Sequence, residues 1–211
     1  PGHVMIYEDG KWTNITNKQI EQQTKKKALD FMDVAEDPKD PSRFFVTSYG
    51  TGLYEFRNNT LYTHYTPDNS ILCSAVKSNP NHYTRTSNAV FDRENRLWIT
   101  VDAEVDTTLV CFLPDGTQRG LNFYTNSTDR FVFHTSGNMV IDAIHPQRKW
   151  LVSCRAISAV VQLNDGGTEF DSSDDQCKVR SEFYDQDGGV VIAEHYYTLA
   201  QAPNGDIWVG S

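Results

Sequence analysis

Apolar residues in this chain recur in short alternating runs, the period of strands, and sustained helical spacing is rare. Four stretches follow one plan: "ALDFMDVAEDPKDPSRFFVTS" from Ala28, "TSNAVFDRENRLWITV" from Thr86, "GNMVIDAIHPQRKWLVS" from Gly137 and "YYTLAQAPNGDIWVGS" from Tyr196. Each starts as an apolar strand, passes a polar turn, and opens a second strand at an aromatic: Phe45, Trp98, Trp150 or Trp208. Between copies, "GLYEFRNNTLYTHYT", "TLVCFLPDGTQRGLNFYT" and "AVVQLNDGGTEF" each set an Asn, Asp or Gly turn between two further strands. Asn58-Asn59, Asp115-Gly116 and Asp165-Gly166 suit the positive φ of tight hairpins. The start of the chain, "VMIYEDGKWTNIT", gives the same half-unit around Asp9-Gly10.

Four antiparallel strands recurring every 40 to 50 residues or so predict propeller blades. The expected fold is therefore all-β, a partial β-propeller of about four four-stranded antiparallel blades. The pattern divides into a half blade over 1–16, an insertion over 17–27, blades over about 28–70, 86–125 and 137–185, and a half blade over 196–211. The aromatic that opens each second strand should pack between neighbouring sheets. A β-sandwich is the structural alternative, but it leaves the aromatic register unexplained. Two stretches interrupt the pattern. "NKQIEQQTKKK" (Asn17 to Lys27) could form about two helical turns as a surface insertion. "DSSDDQCKVRSEFYDQDGG" (Asp171 to Gly189) reads as a long acidic loop.

Composition narrows the partners. A net charge of −9 leaves no clustered Lys/Arg face for phosphates, so nucleic acid is not an expected partner. No apolar stretch approaches the roughly 20 residues of a membrane span, so no membrane insertion is expected of this segment. Cys73, Cys111, Cys154 and Cys177 contain no C-x-x-C pair and are expected to be mostly buried thiols.

Phosphate-binding loops, H-E-x-x-H and G-x-S-x-G are absent, and no catalytic residue, metal ligand or cofactor is expected. Asp30 and Asp33 should share the first strand of a blade and point to opposite faces, which makes a carboxylate pair unsuitable. Asp142, on a comparable strand, is a candidate to cap the channel or bind a cation. Loops between blades, and between the two middle strands, meet on one face of a propeller. There the candidate ligand-binding residues are Tyr49, Tyr83, Arg85, Asp102, His134, Arg155, His195 and Tyr196. Rings among hydrogen-bonding groups suit a carbohydrate or peptide.

"FFVTSYGTGLYEFRNNTLYTHYT" resembles the two-component regulator propeller repeat. Phe45 stands for the family's Trp, Gly52-Leu53 for its Gly-Leu and Phe56 for its later aromatic. Such repeats form extracytoplasmic sensor halves of hybrid regulators and the surface-exposed propeller component of the type IX secretion system. The middle blades, "WITVDAEVDTTLVCF" and "WLVSCRAISAVVQL", lack the Gly-Leu and are more similar to the secretion-type propeller. That resemblance implies a non-catalytic binding or scaffold module at the periplasm or cell surface. Its implied partners are a surface glycan or oligosaccharide, or envelope and secretion proteins. A ligand-sensing propeller reading an oligosaccharide is the alternative, and a propeller lyase or hydrolase the second. Neither family supplies catalytic residues to carry over.

Overall fold

Alternating strands and tight turns build this chain outward from hairpins. The computed structural model describes residues 2–102, 107–123, 136–154, 158–168, 171–191 and 193–211. A first hairpin joins β1 (Val4–Glu8) to β2 (Lys11–Ile15), with Asp9 at φ 49° and Gly10 at φ 78° in its turn. Helix α1 (Asn17–Thr24) follows, opened by a capping box between Thr16 and Gln19. Its one strong apolar residue, Ile20, is buried.

Three four-stranded antiparallel sheets come next, each in sequential order. The first is β3 (Phe31–Asp37), β4 (Asp40–Ser48), β5 (Gly52–Arg57) and β6 (Thr60–Tyr65). A short helix, α2 (Pro80–Tyr83), precedes the second: β7 (Thr86–Phe91), β8 (Leu97–Val101), β9 (Leu109–Phe112) and β10 (Gln118–Leu121). The third is β11 (Ser136–Ile141), β12 (Arg148–Ser153), β13 (Ala159–Asn164) and β14 (Gln176–Arg180). Two-stranded sheets complete the chain, β15 (Phe183–Tyr184) with β16 (Val190–Val191), and β17 (Thr198–Gln201) with β18 (Ile207–Gly210). The first strands β3, β7, β11 and β17 are neighbours in space, so the sheets stack face to face as propeller blades. The fold is all-β, as the periodicity predicts.

The core lies between blades. One cluster joins the first hairpin to the first blade through Val4, Ile15, Ile20, Tyr54 and Phe56. A second joins blades one and two through Phe45, Leu53, Ala89, Leu97 and Ile99, and a third joins blades two and three around Trp98, Leu109, Met139 and Leu151. A fourth, with Val152, Tyr196 and Leu199, holds β17 against the third blade. Each strand alternates its side chains between the blade before and the blade after, so inner strands such as β5, β8 and β9 are buried on both faces.

A second repeat was not legible as a motif. The first strand of each full blade carries a bulge against its neighbour, between Phe31 and Val34, Thr86 and Ala89, and Ser136 and Met139. The second residue of each bulge is Asp33, Asn88 or Asn138. Asp33 Oδ2 accepts from the Ala89 N–H (3.1 Å) of the next blade. Asn138 Oδ1 accepts from the Leu199 N–H (2.6 Å), and its Nδ2 donates to the Leu199 carbonyl (2.5 Å). In the first and third blades the bulge thus aims one short polar side chain at the backbone of the following sheet, whereas Asn88 Nδ2 donates to Thr100 Oγ1 (3.2 Å) within its own blade.

Four expectations change. Gln176–Arg180, read as part of an acidic loop, is the outer strand of the third blade, where Cys177 and Val179 face inward between polar neighbours. Asp30 precedes β3 at φ 43°, and only Asp33 lies on the strand. Asp142 is a turn residue past β11. Its Oδ1 accepts from the backbones of Ile144 and His145, and its Oδ2 from the Trp150 indole (3.2 Å). Trp208, expected in a core, is 68 % exposed, with no described residue burying its face of β17–β18.

Candidate functional site

The candidate face is built from the ends of strands that the first two blades share. After β4, "SYGTG" turns sharply, with Gly52 at φ +91° and only 2.3 Å between its ideal Cβ position and the Tyr65 carbonyl oxygen. No other residue fits there. Ser48 organises this turn: its hydroxyl bonds the Leu29 carbonyl (2.5 Å) and Thr51 Oγ1 (2.8 Å), and it accepts from the Thr51 N–H (3.0 Å). The Gly52 N–H donates to the Thr84 carbonyl and the Thr84 N–H to that of Gly50, so the turn is laced to the segment entering β7.

That lacing brings four expected residues together. The Arg85 guanidinium carbon lies 4.9 Å from the Tyr49 ring centroid and 5.4 Å from that of Tyr83, a cation held between two rings. Its Nε is buried and meets no hydrogen-bond acceptor among the described residues. The Arg85 carbonyl accepts from the Asp102 N–H (3.0 Å), and fully buried Asp102 accepts from the Ser87 hydroxyl (2.6 Å) through Oδ2. A guanidinium flanked by rings suits a hydroxyl-rich or anionic ligand.

The remaining expected residues lie differently. His134 and Arg155 fall outside the described residues. Tyr196 is buried, its ring 5.6 Å from Phe183 and its hydroxyl donating to the Ser181 carbonyl (3.3 Å). It packs as core. The Tyr196 carbonyl also accepts from the Cys154 thiol (2.8 Å), and burial, then the Asp102 carboxylate, push that thiol up. His195 is exposed, its ring 5.8 Å from that of Tyr197.

Sequence reading missed the hydroxyls. Ser48, Thr51, Thr86 and Ser87 are buried and tie loop to loop, and Thr86 Oγ1 donates to the Gly52 carbonyl (2.8 Å). Small polar residues at the strand ends of "VTSYGT" and "TRTSN" are the signal that could have marked them. The four cysteines form no disulfide. Among the described residues no three His, Cys, Asp or Glu side chains converge as a cation site. No helix there is long and apolar enough to cross a membrane.

Stacked four-stranded blades with a loop face at the strand ends define a segment of a β-propeller. Solved structures share it, among them the following two. PorZ, a bacterial surface component of the type IX secretion system of Porphyromonas gingivalis, superposes with a TM-score of 0.81 at 27% identity, over 100% of this chain and 28% of PorZ. The extracellular domain assigned to a hybrid two-component system of B. thetaiotaomicron gives a TM-score of 0.59 at 16% identity, over 97% of this chain and 23% of that one. This chain thus spans about a quarter of the length of either. The two structures represent the two kinds of propeller that the repeats resemble. No family model and no curated protein matches the sequence.

Proposed function

We propose that this chain is a non-catalytic, extracytoplasmic propeller segment that serves as a binding or scaffold module of a bacterial envelope protein. The observation that carries this reading is the likeness to PorZ over the whole of the chain, including the middle blades that lack Gly-Leu. PorZ is a surface component, which supports a periplasmic or cell-surface place for this chain. The likeness to the two-component extracellular domain supports fold alone, at 16% identity.

The binding face in this proposal centres on Arg85 between Tyr49 and Tyr83. Its chemistry fits an anionic or hydroxyl-rich surface glycan, or a carboxylate-bearing loop of an envelope protein, through the half-buried guanidinium and the two rings beside it. No catalytic step is included: the Asp102 carboxylate is buried and engaged by the Ser87 hydroxyl, and its N–H by the Arg85 carbonyl. The test is titration of the chain with purified envelope lipopolysaccharide and with secretion-system surface proteins. Binding to one of them, weakened about tenfold by Arg85→Ala, supports the proposal. Silence towards both, or binding indifferent to Arg85→Ala and Tyr49→Ala, removes it.

A further inference from the structure

Lys149 stands in an apolar seat. It precedes the aromatic of its blade as Phe44 and Leu97 precede theirs, and those two pack against the sheet before. Register agrees, with Ile141 opposite Lys149, Phe91 opposite Leu97 and Glu36 opposite Phe44. The Lys149 side chain is only 2 % exposed, and its Nζ lies 4.1 Å from the Trp98 ring centroid, on the seam between blades two and three. There it meets Oδ2 of Asp165, a side chain 1 % exposed. Two charges held this far from water carry a large desolvation cost, so a change that removes both while keeping the contact is favoured.

The groups around the pair are those that amide formation requires. Asp165 follows β13, and its N–H donates to the Gln147 carbonyl (3.1 Å), which fixes it beside the start of β12. Its Oδ1 accepts from the Gly167 N–H (3.1 Å), so a backbone donor holds one carboxyl oxygen while the other meets the amine. Gly166 at φ 64° and Gly167 at φ 90° give the turn that aims this N–H. Asp175, immediately before β14, is the third group. Its Oδ1 is buried with no hydrogen-bond partner among the described residues, and the charges of Asp165 and Lys149 both act on it. Burial, then the Asp165 and Asp174 carboxylates, push Asp175 up to about 6, so near neutral pH it can both hold and release a proton.

We propose that Lys149 and Asp165 join in an isopeptide bond, with Asp175 carrying the proton, as a covalent staple within the third blade beneath Trp98. Transfer of one proton within the ion pair gives a free amine and a neutral acid. Lys149 Nζ then attacks Asp165 Cγ, and the charge that collects on Oδ1 is stabilised by the Gly167 N–H. Asp175 takes a proton from the nitrogen and delivers one to Oδ2, the Cγ–Oδ2 bond breaks, and Oδ2 leaves as water. Ammonium and carboxylate thereby become one neutral amide and one water, so the step balances without a co-reactant. The bond closes a loop between residues sixteen positions apart and slows unfolding of the blade.

Intact-mass spectrometry of the folded chain tests this. The mass is expected to lie one water below the sequence value, and trypsin should release residues 149–155 joined to 156–178 as a single branched peptide. Lys149→Arg, which keeps a cation beside Asp165 but has no amine, should restore the sequence mass. Asp175→Ala should slow the loss of water at least about tenfold in newly synthesised chain sampled over time. A succinimide at Asp165-Gly166 would lose the same water, but it gives no branched peptide, yields to hydroxylamine and persists in Lys149→Arg. The full sequence mass in a chain whose circular dichroism shows folded sheets overturns the proposal. So does a loss of water without the branched peptide, or a bond that forms as fast in Asp175→Ala.

Discussion

Trp98 and Trp208 occupy the same place in their sheets and have opposite fates. Trp98 is fully buried, its indole Nε1 donates to Asp92 Oδ2 (2.8 Å), and Lys149 stands over its ring. Trp208 is largely exposed, and Ala202 stands where Asp92 and Asp142 end the first strands of the middle blades. Register is set inside a blade, whereas burial is conferred by the blade that follows. Breaking the comparison at its strongest point, Trp98→Ala should cost about 3–5 kcal/mol of stability by urea denaturation, through lost burial and the cavity left. Trp208→Ala should shift it by no more than about 0.5 kcal/mol. Equal losses would mean that Trp208 is packed as Trp98 is.

The first blade and the first hairpin give the same contrast in a titratable form. His64 stacks on Tyr54, with ring centroids 4.1 Å apart and 5° between planes, and its Nε2–H donates to the Thr51 carbonyl (2.6 Å). Its counterpart in the hairpin, Asn14, is exposed. Burial, against the opposing hydrogen bond to Thr51, pulls His64 down to about 4, with the Lys26 charge adding to the shift. A folded value below the unfolded 6.5 means that the unfolded chain takes up the proton first. Stability from neutral His64 is therefore whole above about pH 6.5 and is lost as pH falls toward 4, by on the order of 2 kcal/mol. His64→Asn should remove that part of the pH dependence. The difference between the two curves isolates it from the carboxylates, such as Asp33, that burial raises.

Much of this architecture is legible in sequence because a propeller writes the same word repeatedly. The turn residues Asp9, Gly10, Asn58, Asn59 and Gly116 all take positive φ where the hairpins predict it. Trp98 and Phe45 are core for the reason their spacing suggests. Environment was less legible. Nothing within "NGDIWVGS" distinguishes a Trp with a neighbour from one without, although the missing Asp before it was readable. "QCKVR" is too short and polar to outweigh its acidic flanks, yet pairing with β13 makes it a strand. At the candidate face, the aromatic and charged residues stand out by type, so Tyr49, Tyr83, Arg85 and Asp102 could be picked. The buried hydroxyls that position them could not, since Ser and Thr are ordinary in loops. Tyr196 looked like its exposed neighbour Tyr197 because adjacent residues of an extended segment face opposite ways.

The bulge side chains sharpen the comparison between full and half blades most finely. Asp33, which ties blade one to blade two, only accepts, whereas Asn138, which ties blade three to the half blade β17–β18, both accepts from and donates to Leu199. Between blades one and two, broad packing around Phe45 and Leu97 also holds the sheets, so one hydrogen bond is a small share. The half blade has a smaller cluster, in which only Leu199 comes fully buried from β17–β18. Asn138→Ala should therefore cost about 1–2 kcal/mol, felt locally. Hydrogen exchange checks it: amides of β17 and β18 should lose protection, while those of β3 to β10 keep theirs. Uniform loss across the chain would show that the blades open as one unit and that Asn138 holds no separate seam.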